Sequence, residues 1–501
     1  MSIKIMKLSL LPVFLLVLLT GCVNKNSEVT EKTNITGPLR LHPENGHYFQ
    51  YKGKTLALVT SGEHYGAVIN LDFDYKKYLE SLSREGMNYT RIFTGTYFEP
   101  PGGAFGILNN TLGPQKGRAI TPWATFTDAS GKISYDLASW NDTYFERLKD
   151  FIRLADEKDI IVEVTLFSSV YNEGFWKICP QNPANNINID HELGFREAHT
   201  LNNGKLFAFQ SDFVRKIVRE LNEFNNIFFE IQNEPWADRQ VPAYNIVNKE
   251  DLTPNNWANK ADFADEASLA WQDSIAAIIR DEENNLRKKH LIAQNYTNYR
   301  APIPEVSEHI SIINFHYAWP DAVRWNYAYG RVIGFDESGF AGAGDKVYRR
   351  QAWKFMLSGG GLFNNLDYSF FTGYEDGSGV NKAPGGGSRT LRKELKILSD
   401  FLQDFALEKM HPAQCRIVKS PGLIPYVLSD GVKTYAVYLR AVVTKHSTLQ
   451  LKTGDGIFTI NTLNTITGSY AEPVVIHAEK GILKIDLDIP EGELALKIIR
   501  E

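Results

Sequence analysis

The chain has 501 residues, 43% hydrophobic and 23% charged, with a formal net charge of -5. That length exceeds what a single core usually serves, so one large domain and at least one smaller one are expected. The negative balance and the lack of a basic stripe argue against a nucleic-acid partner, and the 12% of aromatic residues suits a cleft that stacks on flat apolar faces as well as a packed core.

Lys4 and Lys7 precede an apolar run from Leu8 to Leu19 that is short for a membrane span, so residues 1–21 read as an export signal. The run ends in Leu19-Thr20-Gly21-Cys22, which resembles the bacterial lipoprotein box, where the cysteine is acylated and becomes the new N-terminus. The resemblance implies an exported protein held to a bacterial membrane, at the cell surface or in the periplasm, through lipid on Cys22. A plain secretory signal is the alternative. Residues 22–37 are polar and look like a tether.

Residues 38–409 are expected to form one domain. Leu39 to Lys54 reads as a short hairpin covering its bottom, with turns at Glu44-Asn45-Gly46 and Lys52-Gly53. From Thr55 to about Phe405, short apolar runs alternate with amphipathic stretches, the signature of βα units around a parallel sheet. The runs are Thr55 to Thr60, Asn88 to Phe93, Ile160 to Phe167, Ile227 to Ile231, His290 to Asn295, Ile310 to Phe315, Arg331 to Phe335 and Gly360 to Leu366. Helices are expected over Tyr75 to Arg84, Asn141 to Glu157, Phe207 to Asn222, Phe263 to Arg287 and Lys346 to Leu357. The pattern predicts an α/β fold, a (β/α)8 TIM barrel. Helix-to-strand links such as Lys158-Asp159 are short, whereas Thr94 to Trp140, Ser168 to Leu206, Gln232 to Asp262 and Asp367 to Ser388 are long. In a barrel these long links all rise from one mouth, where active sites lie. Over residues 410–501, short alternating runs predict a small all-β sandwich, which could bind carbohydrate or, as the preferred reading, brace the barrel.

Cys179 and Cys415 fall in what read as different domains, so two buried free thiols are expected rather than a disulfide. His191-Glu192-Leu193-Gly194-Phe195 begins like a zinc-protease helix but has Phe195 where the second histidine must stand. Gly53-Lys54-Thr55 lacks the earlier glycine of a phosphate loop, with Tyr48 in its place. No metal or other cofactor is expected.

The chemistry falls to carboxylates. Glu234 follows the fourth run in Ile231-Gln232-Asn233-Glu234-Pro235-Trp236, and Glu337 follows the seventh in Gly334-Phe335-Asp336-Glu337-Ser338-Gly339. Strands four and seven of a closed eight-stranded barrel face each other across the pore, so both carboxylates can converge at one mouth. Glycosidic bond cleavage needs two such groups, one protonated and one ionised. The chain resembles clan A of the glycoside hydrolases, cellulase-like and family 5-like, in which strand four ends in Asn-Glu-Pro and strand seven in Glu. The resemblance covers the barrel. It implies Glu234 as acid/base, Glu337 as nucleophile of a retaining double displacement, Asn233 on the sugar hydroxyl next to the anomeric carbon, Arg91 near the nucleophile, and His316 or Tyr317 touching Glu337. It also implies a carbohydrate substrate with β-glycosidic bonds, β-glucan first and then β-mannan or β-galactan.

An arginine beside Glu337 should keep it ionised, and Glu234, poorer in cations, should hold its proton longer. Strand alternation should send Asp336 away from Glu337. Arg91, Glu163 and Glu230 share the inward parity of their strands, so a buried charge network is a fair alternative for each and the preferred one for the two glutamates. His64, in Ser61-Gly62-Glu63-His64-Tyr65-Gly66, is a candidate substrate ligand or a satisfied loop histidine, and of the loop aromatics Trp236, Trp319, Trp176, Tyr171 and Tyr368, Trp236 and Trp319 are the preferred stacking platforms. The alternative function is a non-catalytic glycan-binding surface lipoprotein on the same barrel; the intact carboxylate pair weighs against it.

Overall fold

A computed structural model describes residues 37–501 apart from residues 103, 108, 239–241 and 246–259. The expected signal, Cys22 and nearly all of the tether lie outside the described residues, as does most of the link after the fourth strand.

Eight parallel strands form the barrel: β1 (Leu58–Gly62), β2 (Tyr89–Phe93), β3 (Ile161–Ser168), β4 (Ile227–Asn233), β5 (Ile292–Asn298), β6 (Ile312–His316), β7 (Val332–Ser338) and β8 (Leu362–Leu366). Every residue of these strands is buried, because helices cover one face and the packed pore the other, and so they read as near-continuous apolar runs. Their hydrogen-bonded order is β1-β8-β7-β6-β5-β4-β3-β2. Side chains close the seam between β1 and β2. Asn88 accepts from the Val59 amide at 2.8 Å and donates to the Ala57 carbonyl at 3.0 Å, and the Tyr78 hydroxyl accepts from the Glu63 amide at 3.1 Å.

The main helices are α1 (Tyr75–Arg84), α2 (Asp142–Asp156), α3 (Leu206–Leu221), α4 (Glu266–Glu283), α5 (Pro320–Asn326), α6 (Asp345–Met356) and α7 (Arg389–Gln403). In α1 the Asp74 side chain caps the free amides of Lys76 and Lys77, and Tyr75, Tyr78, Leu79 and Leu82 make the buried stripe.

The expected hairpin is present as Arg40–Leu41, Phe49–Tyr51 and Lys54–Leu56, and its Leu39, Phe49 and Tyr51 pack on Leu58, Tyr89, Ile161 and Phe228 at the N-terminal end of the barrel. Gly46 is required there: a β-carbon on it would stand 2.2 Å from the Gly330 carbonyl oxygen.

The C-terminal region is a six-stranded and a three-stranded antiparallel sheet around their own apolar core. Trp353 of α6 stacks on Tyr438 of this region at 5.4 Å, and Glu493 takes Arg349 at 2.6 Å and Arg350 at 2.9 Å, both also from α6. Cys179 is buried as expected, but Cys415 is exposed, because it sits in the short turn Gln414–Arg416 rather than on a core-facing strand.

Candidate active site

Beneath the mouth, the barrel interior carries a buried charge network. Arg91 on β2 donates from Nε to Glu230 at 3.0 Å and lies 3.6 Å from Asp336 and 3.9 Å from Glu163. Asn295 donates to Asp336 at 3.1 Å and Asn314 to Glu163 at 3.1 Å. One oxygen of each of the three acids lies within 4.8 Å of the others, a spacing open to a metal ion, but the guanidinium already supplies positive charge at that point. Burial pushes Glu163 well up and Glu230 up to about 7. For Asp336 burial acts in the same direction, but His316 and Arg91 outweigh it and hold the carboxyl well below its usual range. Glu163 and Glu230 therefore occupy the network assigned to them from parity.

The pair stands on this base. Glu234, one residue past β4, is 8% exposed and Glu337, on β7, is 5% exposed. One oxygen of each and a ring nitrogen of His316 lie within 4.8 Å of one another. Glu234 has His316 Nδ1 at 2.9 Å and accepts from the hydroxyls of Tyr171 at 2.7 Å and Tyr317 at 3.2 Å. Glu337 accepts from Tyr317 at 2.8 Å and Tyr65 at 2.9 Å, with Arg91 Nη1 3.5 Å away.

The local backbone explains how so many groups converge. Glu234, Tyr317 and Tyr65 have φ of 45°, 53° and 59°, left-handed values that cost a non-glycine residue about 1–3 kcal/mol. The reversal lets neighbours such as Asn233 and Glu234, or His316 and Tyr317, turn to the same mouth, where a regular strand would separate them. On β7 a register shift does the same work: Phe315 pairs with Phe335, but His316 pairs with Glu337. Asp336 therefore points inward with Glu337, 3.5 Å from His316 Nε2, and the expectation from strict alternation is corrected.

The charge environments also differ from expectation. Burial raises Glu234, but hydrogen bonds and charge from His316, with Tyr171 and Tyr317, bring it below the usual carboxylate range. Glu337 ends raised: burial and the charge of Glu234 outweigh His316 and Arg91. The expected order is reversed because Arg91 is engaged with Glu230 and reaches Glu337 only at 3.5 Å, whereas His316 stands against Glu234. Burial lowers His316, yet Asp336 and Glu337 raise it well above the ordinary histidine value.

Among the other candidates, Asn233 lies beside Glu234, accepting from Arg91 at 2.8 Å and donating to Tyr171 at 3.1 Å. His64 is in the wall, 3.4 Å from Glu99. Trp236 is 4% exposed and meets His316 edge-on at 5.5 Å, so it backs the histidine rather than offering an open face. Trp319 is on the rim, with Arg300 4.2 Å over one face. Sequence reasoning passed over Tyr65 as a site residue and took Tyr171 only as a loop aromatic open to sugar stacking. Tyr65 directly follows His64, and only its left-handed φ turns it toward Glu337.

No family model matches the chain, and no curated protein does. Solved structures do. A candidate glycoside hydrolase from Bacteroides vulgatus ATCC 8482 superposes with a TM-score of 0.65 at 13% identity, over 94% of this chain and 83% of that one. A family 5 glycoside hydrolase from the same organism gives 0.58 at 12% identity, over 93% and 94%. A further structure described as a glycoside hydrolase gives 0.57 at 12%, over 93% and 97%. The chain thus has the fold of these structures, a (β/α)8 barrel followed by a β-region.

Proposed function

We propose that the chain is a retaining glycoside hydrolase of β-linked oligosaccharides or polysaccharides, exported and lipid-anchored through Cys22. The observation that carries this reading is the pair at the ends of β4 and β7, with one oxygen of each within 4.8 Å of the other and the Tyr317 hydroxyl in reach of both. Retaining pairs stand about 5–5.5 Å apart and inverting pairs about 6.5–9.5 Å, because inversion must fit a water between them. The shared fold with structures described as glycoside hydrolases supports it.

Glu337 attacks the anomeric carbon while Glu234 protonates the leaving oxygen; Glu234 then takes a proton from water as the glycosyl ester is hydrolysed. His316 Nδ1, 2.9 Å from Glu234, is the neighbour with which it can exchange that proton. Tyr65, Tyr317 and Arg91 hold Glu337 as the anion that attacks. β-Glucan is the first substrate, followed by β-mannan and β-galactan.

The test is a panel of β-glucans, mannans, galactans and xylans with wild type, Glu337→Ala and Glu234→Ala, and proton NMR of the first anomer released. Cleavage with retention, abolished in Glu337→Ala, is expected. Undiminished cleavage by Glu337→Ala would sink the nucleophile assignment, and binding without cleavage on every glycan would favour a non-catalytic glycan receptor.

A further inference from the structure

Rings from separate loops meet above the carboxylate pair. Phe105, in the loop after β2, sets its ring edge-to-face on Tyr171 at 6.0 Å and on Phe340 at 5.7 Å. Phe340, three residues past Glu337, lies edge-to-face on Tyr317 at 5.9 Å. Tyr171 and Tyr317 are the hydroxyls that hold Glu234 and Glu337. The run Tyr171, Phe105, Phe340, Tyr317 therefore begins and ends on the two carboxylates and passes from the β3 side of the mouth to the β6 side.

Both phenylalanines are held left-handed, each at φ 54°, and Phe105 stays 41% exposed. A strained backbone holding a large apolar ring half in water serves no core. The loop is fastened from below: the Asn109 carbonyl accepts from the Thr372 amide at 3.3 Å, and the Glu99 amide donates to the Leu112 carbonyl at 2.9 Å. Beyond the Tyr317 end of this run, after β6, Trp319 and Trp325 are 38% and 40% exposed, with Arg300 beside both rings.

We propose that Phe105 and Phe340 are specificity-determining residues that wall off the glycone side of the site, so that the substrate is the non-reducing end of a chain and one terminal sugar is removed at a time. Phe340 stands on the nucleophile's own loop, above the sugar that becomes bonded to Glu337. The remainder of the chain leaves over the rim of Trp319 and Trp325, whose exposed rings suit successive sugar faces. This inference rests on the glycosidase reading and adds to it the direction of attack.

The test uses cellotetraose, mannotetraose and β-1,4-galactotetraose, each free or capped at its non-reducing end with a 4,6-O-benzylidene group, and follows products by chromatography. Wild type is expected to shorten the free form one unit at a time and to cleave the capped form at least tenfold more slowly. Phe105→Ala and Phe340→Ala are expected to raise the capped-to-free rate ratio at least tenfold, and Phe105→Leu, which keeps apolar bulk, by less. Equal cleavage of capped and free forms by wild type, early internal fragments, or an unchanged ratio in variants that still cleave the free form would each overturn the inference while leaving the glycosidase reading in place. No cleavage of any free form, or of the polysaccharide panel, would overturn both.

Discussion

Tyr317 is the residue on which both carboxylates depend. Its hydroxyl has one proton to donate, yet it faces Glu337 at 2.8 Å and Glu234 at 3.2 Å. A hydrogen bond to a charged group is worth about 1.5–3 kcal/mol, so Tyr317→Phe is expected to lower kcat/KM by roughly tenfold to a hundredfold with unfolding unchanged. Initial rates on the best substrate of the panel measure it, and an undiminished rate would show that the bridge has no catalytic role. Arg91→Met tests the layer below: it leaves Glu163, Glu230 and Asp336 around an absent cation, and loss of about 3–5 kcal/mol in urea unfolding is expected. A loss under about 1 kcal/mol would mean that the acids are neutralised by protons instead. Glu234 and Glu337 could be brought together from strand counting because each follows a counted run, and Asn233, Arg91, His316 and Tyr317 came with them through the resemblance. The hydroxyls of Tyr65 and Tyr171 could not be assigned to the pair, since both reach it from loops whose course no periodicity records. The inward Asp336 was misplaced because a one-residue register shift leaves the local sequence looking like an ordinary strand.

At the scale of elements, the seam between β1 and β2 is the weak point of the barrel's closure. Asn88 there substitutes a side-chain amide for part of a ladder, satisfying one backbone donor and one acceptor. Asn88→Ala leaves the Val59 amide and the Ala57 carbonyl without those partners, for an expected loss of about 1–3 kcal/mol. Hydrogen exchange should show the largest added exposure at the Val59 amide, and protection unchanged there would contradict the role. All eight barrel strands were legible, because a strand buried on both faces is an apolar run with short flanks. The first begins later than expected, at Leu58, since Lys54–Leu56 belongs to the hairpin. The strand Glu493–Arg500, which lies between Thr434–Ala441 and Gly456–Leu463, was passed over. Its Glu-Leu-Ala-Leu-Lys-Ile-Ile-Arg lacks clean alternation because it lies at the centre of its sheet and one end packs under α6.

For the whole molecule, buried titratable groups set how stability follows pH. Burial raises Glu63 and Glu230 to about 7 from an ordinary 4.5 and Asp262 to about 6 from 3.8. The folded chain keeps protons that the unfolded chain releases, so these groups stabilise the acid side and lose that contribution as pH rises through their folded values. His64 and His316 share this sign, since their carboxylate neighbours raise them despite burial. His47, lowered by burial to about 4, opposes it below its ordinary 6.5. The raised groups prevail, and the thermal midpoint is expected to fall between about pH 5 and about pH 7.5, with a flatter slope in Glu63→Gln. A midpoint that climbs over this interval would contradict the assignment.

The left-handed residues at Tyr65, Glu234 and Tyr317 also bear on how the protein can change. Glycine would relax the backbone at each and would delete a group that the site uses. Selection for heat resistance and selection for turnover therefore pull in opposite directions at these three positions. A search for hardier variants can begin instead at left-handed residues away from the pair, such as Lys52, Asp159 and Lys480, where glycine would relax the backbone and the chemistry has nothing to lose.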